Sequence, residues 1–497
     1  MTRAEPHTHA HVDAHVDAHV DGHVHGSVDS PDPRRWTALA LICVAQFMLI
    51  LDVTVVNVAL PRMAADLDLA RTSLTWVVTA YTLCFGGLML LGGRLADALG
   101  ARRTLLAGLA LFTAASLVSG LAVNAPMLIG GRVAQGVGAA LLSPAALALV
   151  TTSFHGTERA KALGVWAAIG GTGSAVGVLL GGALTDGPGW PWIFYVNVPV
   201  GLALLAALPA VVPASVRTPA RLDIPGALLV TAATGSLIYG LVQAGDTGWT
   251  STATLLPLFG SLLLYGIFVT VERASRAPLM DLRMFTRRPV VAGSFLMLVA
   301  TALLISFFFL GSVQLQHLNG FSAFRTGLVF LPVAVTTAVG AHLGSRLVGT
   351  IGPRACATGG MTIAALGCLP LALVAPGDNA WTVLLPALSV ASLGLGAVFV
   401  TATTTALGLI TPHEAGLASG IVNTFHEVGG SIGVALVSTI AASSIEVPTT
   451  TGTTTGTTTG FTAAFTLCTV LAAAAALAAP VLVPRGKPRM TGGPHVH

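Results

Sequence analysis

Between Trp36 and Pro484 the chain alternates long apolar stretches with short breaks rich in charge, glycine or proline. A helix rises about 1.5 Å per residue, so roughly 20 apolar residues are needed to cross a hydrocarbon core about 30 Å thick. Stretches of that length recur nearly end to end, and reading them between the breaks predicts fourteen helices. Their starts fall near Trp36, Leu74, Thr104, Pro126, Lys161, Trp190, Ile224, Thr252, Val290, Arg325, Arg354, Trp381, Ala415 and Phe461. The first stretch is about 25 residues long, longer than the apolar core of a cleavable signal peptide, and is expected to remain as the first span.

Composition agrees with the pattern. With 54% hydrophobic and only 9% charged residues, a water-facing surface would lack ionic cover, which points to a membrane protein. The net charge of +4 does not indicate a nucleic-acid partner, because the basic residues sit in short connectors and aromatic stacking positions are scarce. With the N-terminus placed in the cytoplasm, the 24 Lys and Arg divide into 20 inside, 3 outside (Arg62, Arg71, Arg325) and 1 within the membrane (Arg132). That bias satisfies the positive-inside rule. An even number of spans returns Arg485, Lys487 and Arg489 to the cytoplasm, so the expectation is a multi-pass plasma (inner) membrane protein with both termini cytoplasmic. The five cysteines lie in apolar segments without CxxC spacing, which suggests neither a disulfide framework nor a zinc site. No nucleotide loop, nucleophile elbow or metal-ligand cluster occurs in the spans, so the reading is of a non-enzyme that needs no cofactor.

An internal repeat divides the chain. "GGRLADALGARR" (92–103) after span 2 returns as "GSRLVGTIGPRA" (344–355) after span 10, an offset of 252. Gly164, Gly173 and Gly177 of span 5 return as Gly420, Gly429 and Gly433 of span 13, and "GVGA" (136–139) returns as "GLGA" (394–397). The expected organisation is an N-terminal six-helix bundle (34–212), an insert with spans 7 and 8 (213–289) and a C-terminal six-helix bundle (290–484), with cytoplasmic tails at 1–33 and 485–497. A substrate path would run between the bundles near the midplane.

Several motifs resemble the major facilitator superfamily, in particular its fourteen-span drug:proton antiporter branch. "LDVTVVNVALP" (51–61) is similar to that branch's span 1 signature and "GGRLADALGARR" to its loop between spans 2 and 3. "RVAQGVGAALLSPAAL" (132–147) is similar to its span 4 and "WIFYVNVPVG" (192–201) to the start of its span 6. The resemblance implies an all-α membrane protein of two six-helix bundles with inverted repeats plus two inserted helices. It also implies proton-coupled export of amphipathic organic compounds by rocking of the bundles, with small-molecule substrate, protons and lipid as partners and a monomer as the assembly. In the loop, Gly93, Asp97, Gly100, Arg102 and Arg103 match the family's gate; the plainer alternative is a solvated turn. The second-half copy has Gly349 in place of Asp97. In span 5, Gly164, Gly173, Gly177, Gly181 and Gly182 match the antiporter motif, with Val178 where the family has proline. Generic close helix packing is the alternative there.

Three charges lie well inside spans: Asp52, Arg132 and Glu427. Insertion of such a residue at mid-membrane costs roughly 2.5 to 3.5 kcal/mol, so each needs a partner, a wet cavity or a function. At helical rise Asp52 lies about 13 Å from Pro61 and Arg132 about 9 Å from Pro126, compatible depths for a pair. Protonation of Asp52 would break such a pair and couple proton movement to substrate release; a permanent tie between spans 1 and 4 is the alternative. The resemblance gives both positions the coupling role. Glu427 has Gly171 as its repeat counterpart. It reads as a second proton site, a counter-charge for a cationic substrate, or a carboxylate hydrogen-bonded to Asn423 one turn away. His426 is about 100° around the helix from Glu427, which argues against a direct relay. The N-terminal "HTHAHVDAHVDAHVDGHVHG" (7–26) could chelate a transition metal through His11, His15, His19 and His23, or be a tail with nothing apolar to fold it. A metal exporter and a non-transporting membrane sensor therefore stand as alternatives to drug export.

Overall fold

The computed structural model describes residues 34–154, 156–212, 223–275, 278–279, 282–373, 380–407, 415–442 and 459–485. The metal-binding expectation for His11, His15, His19 and His23 lies outside these residues. Among them there is no strand, and the chain runs as helices joined by short breaks. They are α1 (Arg35–Asp66), α2 (Arg71–Leu99), α3 (Ala101–Gly120), α4 (Ala125–Ser153), α5 (Gly156–Asp186), α6 (Trp192–Val211), α7 (Ile224–Thr247) and α8 (Thr252–Ala274). After a 3-10 turn at Leu282–Thr286 follow α9 (Arg288–His317), α10 (Ala323–Ile351), α11 (Pro353–Leu373), α12 (Ala380–Leu407), α13 (Ala415–Ile440) and α14 (Thr459–Leu482). All but α5 and α13 are long and apolar enough over described residues to cross a membrane, which makes twelve candidate spans. The other two are helices of 31 and 26 residues.

Each helix begins within five residues of the start expected from hydropathy. Two boundaries differ for physical reasons. The first helix does not stop at Pro61 but continues to Asp66. Leu60 and Met63 are fully buried on either side of the proline, and that packing outweighs the one backbone hydrogen bond a proline forfeits. The second helix starts at Arg71, not Leu74. Arg71, expected in an outer loop, is instead buried in the helix bundle, where polar partners meet its guanidinium.

Close approach between helices depends on glycine. A Cβ on Gly92 of α2 would sit 1.9 Å from the Ala140 carbonyl oxygen of α4, and one on Gly138 of α4 would sit 2.7 Å from the Phe112 nitrogen of α3. The second half does the same: Gly394 of α12 lies against the Gly360 carbonyl of α11, and Gly396 against Thr337 of α10. Two turns also match across the repeat. Gly100, between α2 and α3, has φ of 94°, and Gly352, between α10 and α11, has φ of 86°, backbone that a side chain disfavours. Helices α1 to α6 enclose one apolar core around Leu49, Tyr81, Phe112 and Leu142. A second core, around Phe307, Phe309, Phe330 and Phe461, joins α9, α10 and α14 to the far end of α1. Helix α7 packs on α2 and α13 through Leu83, Ile238, Leu241, Val242 and Ala435. Its hairpin partner α8 turns Leu256, Phe259, Leu262 and Leu263 outward, a face suited to lipid.

At the end of the molecule remote from α1's start, the first and second halves are tied together. The Asp186 carboxylate at the end of α5 accepts from the Ala323 and Phe324 amides (3.1 and 2.7 Å), capping α10. The Gln316 amide of α9 donates to the Val58 carbonyl of α1 at 2.8 Å.

Gly92→Ala is expected to lower the thermal unfolding midpoint of detergent-purified protein. Overpacking against backbone costs about 1 to 3 kcal/mol, more than the roughly 1 kcal/mol that alanine returns in helix propensity. Gly359→Ala, where a Cβ meets nothing within 4 Å, should leave the midpoint unchanged or raise it. Equal effects of the two would contradict this packing argument.

Candidate functional site

Asp52 and Arg132 meet inside the first six helices. The α1 segment carrying Asp52 is held against α5 because Gly173 and Gly177 lack side chains: a Cβ on Gly173 would lie 2.9 Å from Ile50, and one on Gly177 would lie 1.8 Å from the Thr54 hydroxyl. Gly181 faces Val55 in the same way, while Gly182 faces Ala323 and Phe324 of α10. The expected glycine face of span 5 therefore abuts the Asp52 segment, and its last member contacts the other half. Gly164 lies in α5, but its surroundings fall outside the described residues. Val178 is fully buried and α5 runs through it as continuous helix. On the other side of the pair, Gly136 lets α4 approach the Tyr81 carbonyl of α2, which brings Arg132 into range of both α1 and α2.

The Arg132 guanidinium forms an ion pair with Asp52, and both side chains are 1% exposed. Its Nε donates to the Val77 carbonyl at 3.0 Å, and its Nη1 also donates to Gln135 Oε1 at 2.9 Å. Gln135 completes the ring: its Nε2 donates to Asp52 Oδ1 at 3.0 Å and to Ser116 Oγ of α3 at 2.8 Å. Asn197 of α6 donates to the same Asp52 oxygen at 3.4 Å. The Tyr81 ring lies under the guanidinium, 4.4 Å from its carbon, in cation–π geometry. Five helices thus contribute to one buried charge pair, which meets the requirement that charges removed from water be both paired and hydrogen-bonded. The Tyr81 hydroxyl is buried and has no hydrogen-bond partner among the described residues.

Glu427 lies elsewhere, on α13, with its Cβ against Gly86 of α2. Its side chain is 13% exposed, and the His426 imidazole Nε2 lies 4.0 Å from its Oε1. The side chains approach although their Cα–Cβ bonds diverge around the helix, so the separation expected from helical angle alone is too large. His426 Nδ1 is engaged with the Thr301 hydroxyl of α9 at 2.8 Å, and its ring stacks edge-on to Phe399. Asn423 is exposed, and the anticipated hydrogen bond to Glu427 is not formed. The Glu427 carboxylate accepts no hydrogen bond among the described residues.

The loop residues occupy the end of the molecule nearest the start of α1. Gly100 makes the turn, Gly93 lies 3.8 Å from Pro144 by its missing Cβ, and Arg102 donates to the Pro209 carbonyl at 2.7 Å. Asp97 and Arg103 are exposed, and Asp97 makes no ion pair among the described residues.

Residues 42–434 match the model of the Major Facilitator Superfamily. The chain belongs to this superfamily. Among its curated relatives, the puromycin resistance protein pur8 of Streptomyces alboniger is 40% identical over 422 residues, covering 83% of each chain. The cephamycin export protein CmcT of Amycolatopsis lactamdurans is 39% identical and covers 82% of this chain and 85% of its own. The multidrug resistance protein Stp of Mycobacterium tuberculosis is 35% identical, covering 80% and 74%. Among solved structures, an inward-facing bacterial homologue of the human lysosomal transporter Spinster superposes with a TM-score of 0.63 at 16% identity, over 91% of this chain and 98% of its own. The Escherichia coli xylose transporter XylE gives 0.61 at 14% identity, over 92% and 98%. These two share the superfamily fold.

Of the residues that bind the charge pair, sequence reading reached Asp52 and Arg132 and missed Gln135, Asn197, Ser116 and Tyr81. Gln135 follows Arg132 by three residues, hence on the same helix face, and Asn197 is the lone amide in an apolar run. Gln135→Leu would leave Ser116 without its donor and Asp52 Oδ1 with only the longer bond from Asn197. It should destabilise the purified protein by about 1 to 3 kcal/mol. Tyr81→Phe removes a hydroxyl with no hydrogen-bond partner among the described residues and should leave the unfolding midpoint unchanged. A comparable loss in both variants would show that the hydroxyl is engaged.

Proposed function

We propose that this superfamily member exports amphipathic organic compounds, of the drug or antibiotic class, in exchange for protons by alternating access. The observation that carries the reading is the fully buried Asp52–Arg132 pair, taken together with relatives named for antibiotic resistance and export. A carboxylate in that position is neutral or charged according to one proton. Protonation removes the attraction to Arg132 and releases the guanidinium from the carboxylate, while deprotonation restores the closed ring with Gln135. Helices α5 and α13 complete a fourteen-span frame in this reading. The frame comprises two six-helix bundles at 34–212 and 290–484, related by the repeat and joined by the inserted pair, with both termini in the cytoplasm of a plasma-membrane protein.

Glu427 takes the role of a second ionisable site on the opposite bundle, a counter-charge for cationic substrates or a further proton site. Its support is a carboxylate inside the helix bundle that accepts no hydrogen bond among the described residues and has two aromatic neighbours on its own turn, His426 and Phe425. Gly93, Asp97, Gly100, Arg102 and Arg103 form a gate at the terminus-side end. Asp97 makes no ion pair among the described residues while the remote end is tied shut, and would engage when the terminus-side end closes.

Asp52→Asn holds the site in a neutral form, so uphill transport into liposomes driven by an imposed pH gradient should collapse. Substrate binding by the detergent-solubilised protein should persist, because the amide keeps the size and hydrogen-bonding capacity of the acid. Arg132→Ala should impair both, since it leaves a buried carboxylate unpaired at a cost of about 3 to 5 kcal/mol. Wild-type uphill transport and substrate-induced proton release in Asp52→Asn would sink the coupling role and move it to Glu427. Asp97→Asn should slow turnover with binding intact; unchanged turnover at equal protein levels would reduce the loop to a topology signal.

A further inference from the structure

We propose that Arg71, Asp246 and Ser438 form a latch through which the inserted hairpin α7–α8 holds the remote end of the two bundles closed, making Arg71 and Asp246 positioning residues for the transport cycle. The proposal rests on the alternating-access reading and adds to it a function for the insert.

Arg71 opens α2, and its side chain is 4% exposed. One guanidinium nitrogen pairs with the Asp246 carboxylate and donates to the Val242 carbonyl at 3.1 Å, both on α7. The other donates to the Ser438 carbonyl at 3.4 Å and to its hydroxyl at 3.3 Å, on α13. Two further bonds run alongside: Thr75 and Ser438 share a hydroxyl contact at 2.6 Å, and Thr439 donates to the Leu241 carbonyl at 2.5 Å. The N-terminal bundle, the C-terminal bundle and the insert therefore meet at one guanidinium. Room for it is made by Gly245, where a Cβ would lie 2.7 Å from the guanidinium nitrogen.

The division of partners gives the cluster its consequence. The counter-charge that a buried arginine requires comes from the insert and not from either bundle. Parting α2 from α13 costs Arg71 its Ser438 acceptors, and moving α2 away from α7 costs it its counter-charge. The insert thereby resists opening of a seam that it does not itself form. Exposure sets the scale of that resistance. The Asp246 side chain is 33% exposed, against 1% for both members of the Asp52–Arg132 pair, so water can take over the carboxylate when the contact breaks. Such a pair can be broken and remade in each cycle. The seam below it is closed by short hydroxyl contacts, Thr82 with Ser431 at 2.5 Å among them, which need no large rearrangement to separate.

The test uses the full-length protein in membranes with Thr82→Cys as reporter; Thr82 is 3% exposed and lies in the seam. The five native cysteines are buried and give a low background. A membrane-impermeant maleimide is added on the remote side. Arg71→Gln and Asp246→Asn should each speed labelling about tenfold, the factor that loss of ~1.4 kcal/mol from the closed state gives. Gly245→Val keeps both charges and only displaces the guanidinium. It carries the same expectation and covers the case in which losing a charge prevents insertion. In parallel, a Thr75→Cys, Ser438→Cys disulfide should stop export, with reductant restoring it. If the cross-link stops export but Arg71→Gln, Asp246→Asn and Gly245→Val all label at the parent rate, the latch is overturned and the alternating-access reading stands. If the cross-linked protein exports at the full rate, α2 and α13 do not part at this end, and both fall.

Discussion

The Asp52–Arg132 pair imposes the constraint that the surrounding helices satisfy. Two opposite charges, each 1% exposed, survive inside an apolar bundle only if every remaining donor and acceptor is met. Val77, Gln135 and Asn197 bond to the pair from three different helices, Ser116 of a fourth holds Gln135 in place, and the Tyr81 ring covers the guanidinium face. Moving any one of these helices would open the ring, so the pair couples the ionisation of a single carboxylate to the mutual placement of α1, α2, α3, α4 and α6.

That placement is reached through small residues. Within a bilayer the lipid is as apolar as the helix surfaces, so close backbone contact and hydrogen bonds take over the part that the hydrophobic effect plays in water. The glycines of α5 bring it against α1 on both sides of Asp52, and Gly136 brings α4 against α2 beside Arg132. Gly92 and Gly344, Gly136 and Gly394, Gly138 and Gly396, and Gly177 and Gly433 are contact points in both halves, while Gly100 and Gly352 are the shared turns. Charge departs from that symmetry. Glu427 has a glycine as its counterpart and Asp97 has Gly349, so the ionisable chemistry differs between halves built on similar packing.

The two ends of the molecule also differ. Asp186, Gln316 and Arg71 tie the halves at the remote end. At the other end Asp97 is exposed and without an ion pair among the described residues. Under the alternating-access proposal a bistable frame needs ties at each end that are not satisfied together, and these two sets of polar residues would serve as them. Helix α7 shares in the remote set, while α8 faces outward.

Hydropathy alone located the helices within a few residues, because the cost of placing polar backbone and charge in hydrocarbon is paid residue by residue along the chain. The same local accounting singled out Asp52, Arg132 and Glu427. It misplaced Arg71, since a charge beside a break has the same hydropathy whether it faces water or folds back into the bundle. Helical spacing also offered Asn423 as one possible partner for Glu427, a hydrogen bond that is not formed; His426 lies 4.0 Å away instead. Gln135, Asn197, Ser116 and Tyr81 escaped notice because a neutral polar residue in an apolar run costs little by itself. Its role depends on which atoms lie opposite it on other helices. Which charges exist in the membrane is a property of the sequence; which atoms neutralise them depends on distances between segments up to several hundred residues apart, and only the packed helices set those.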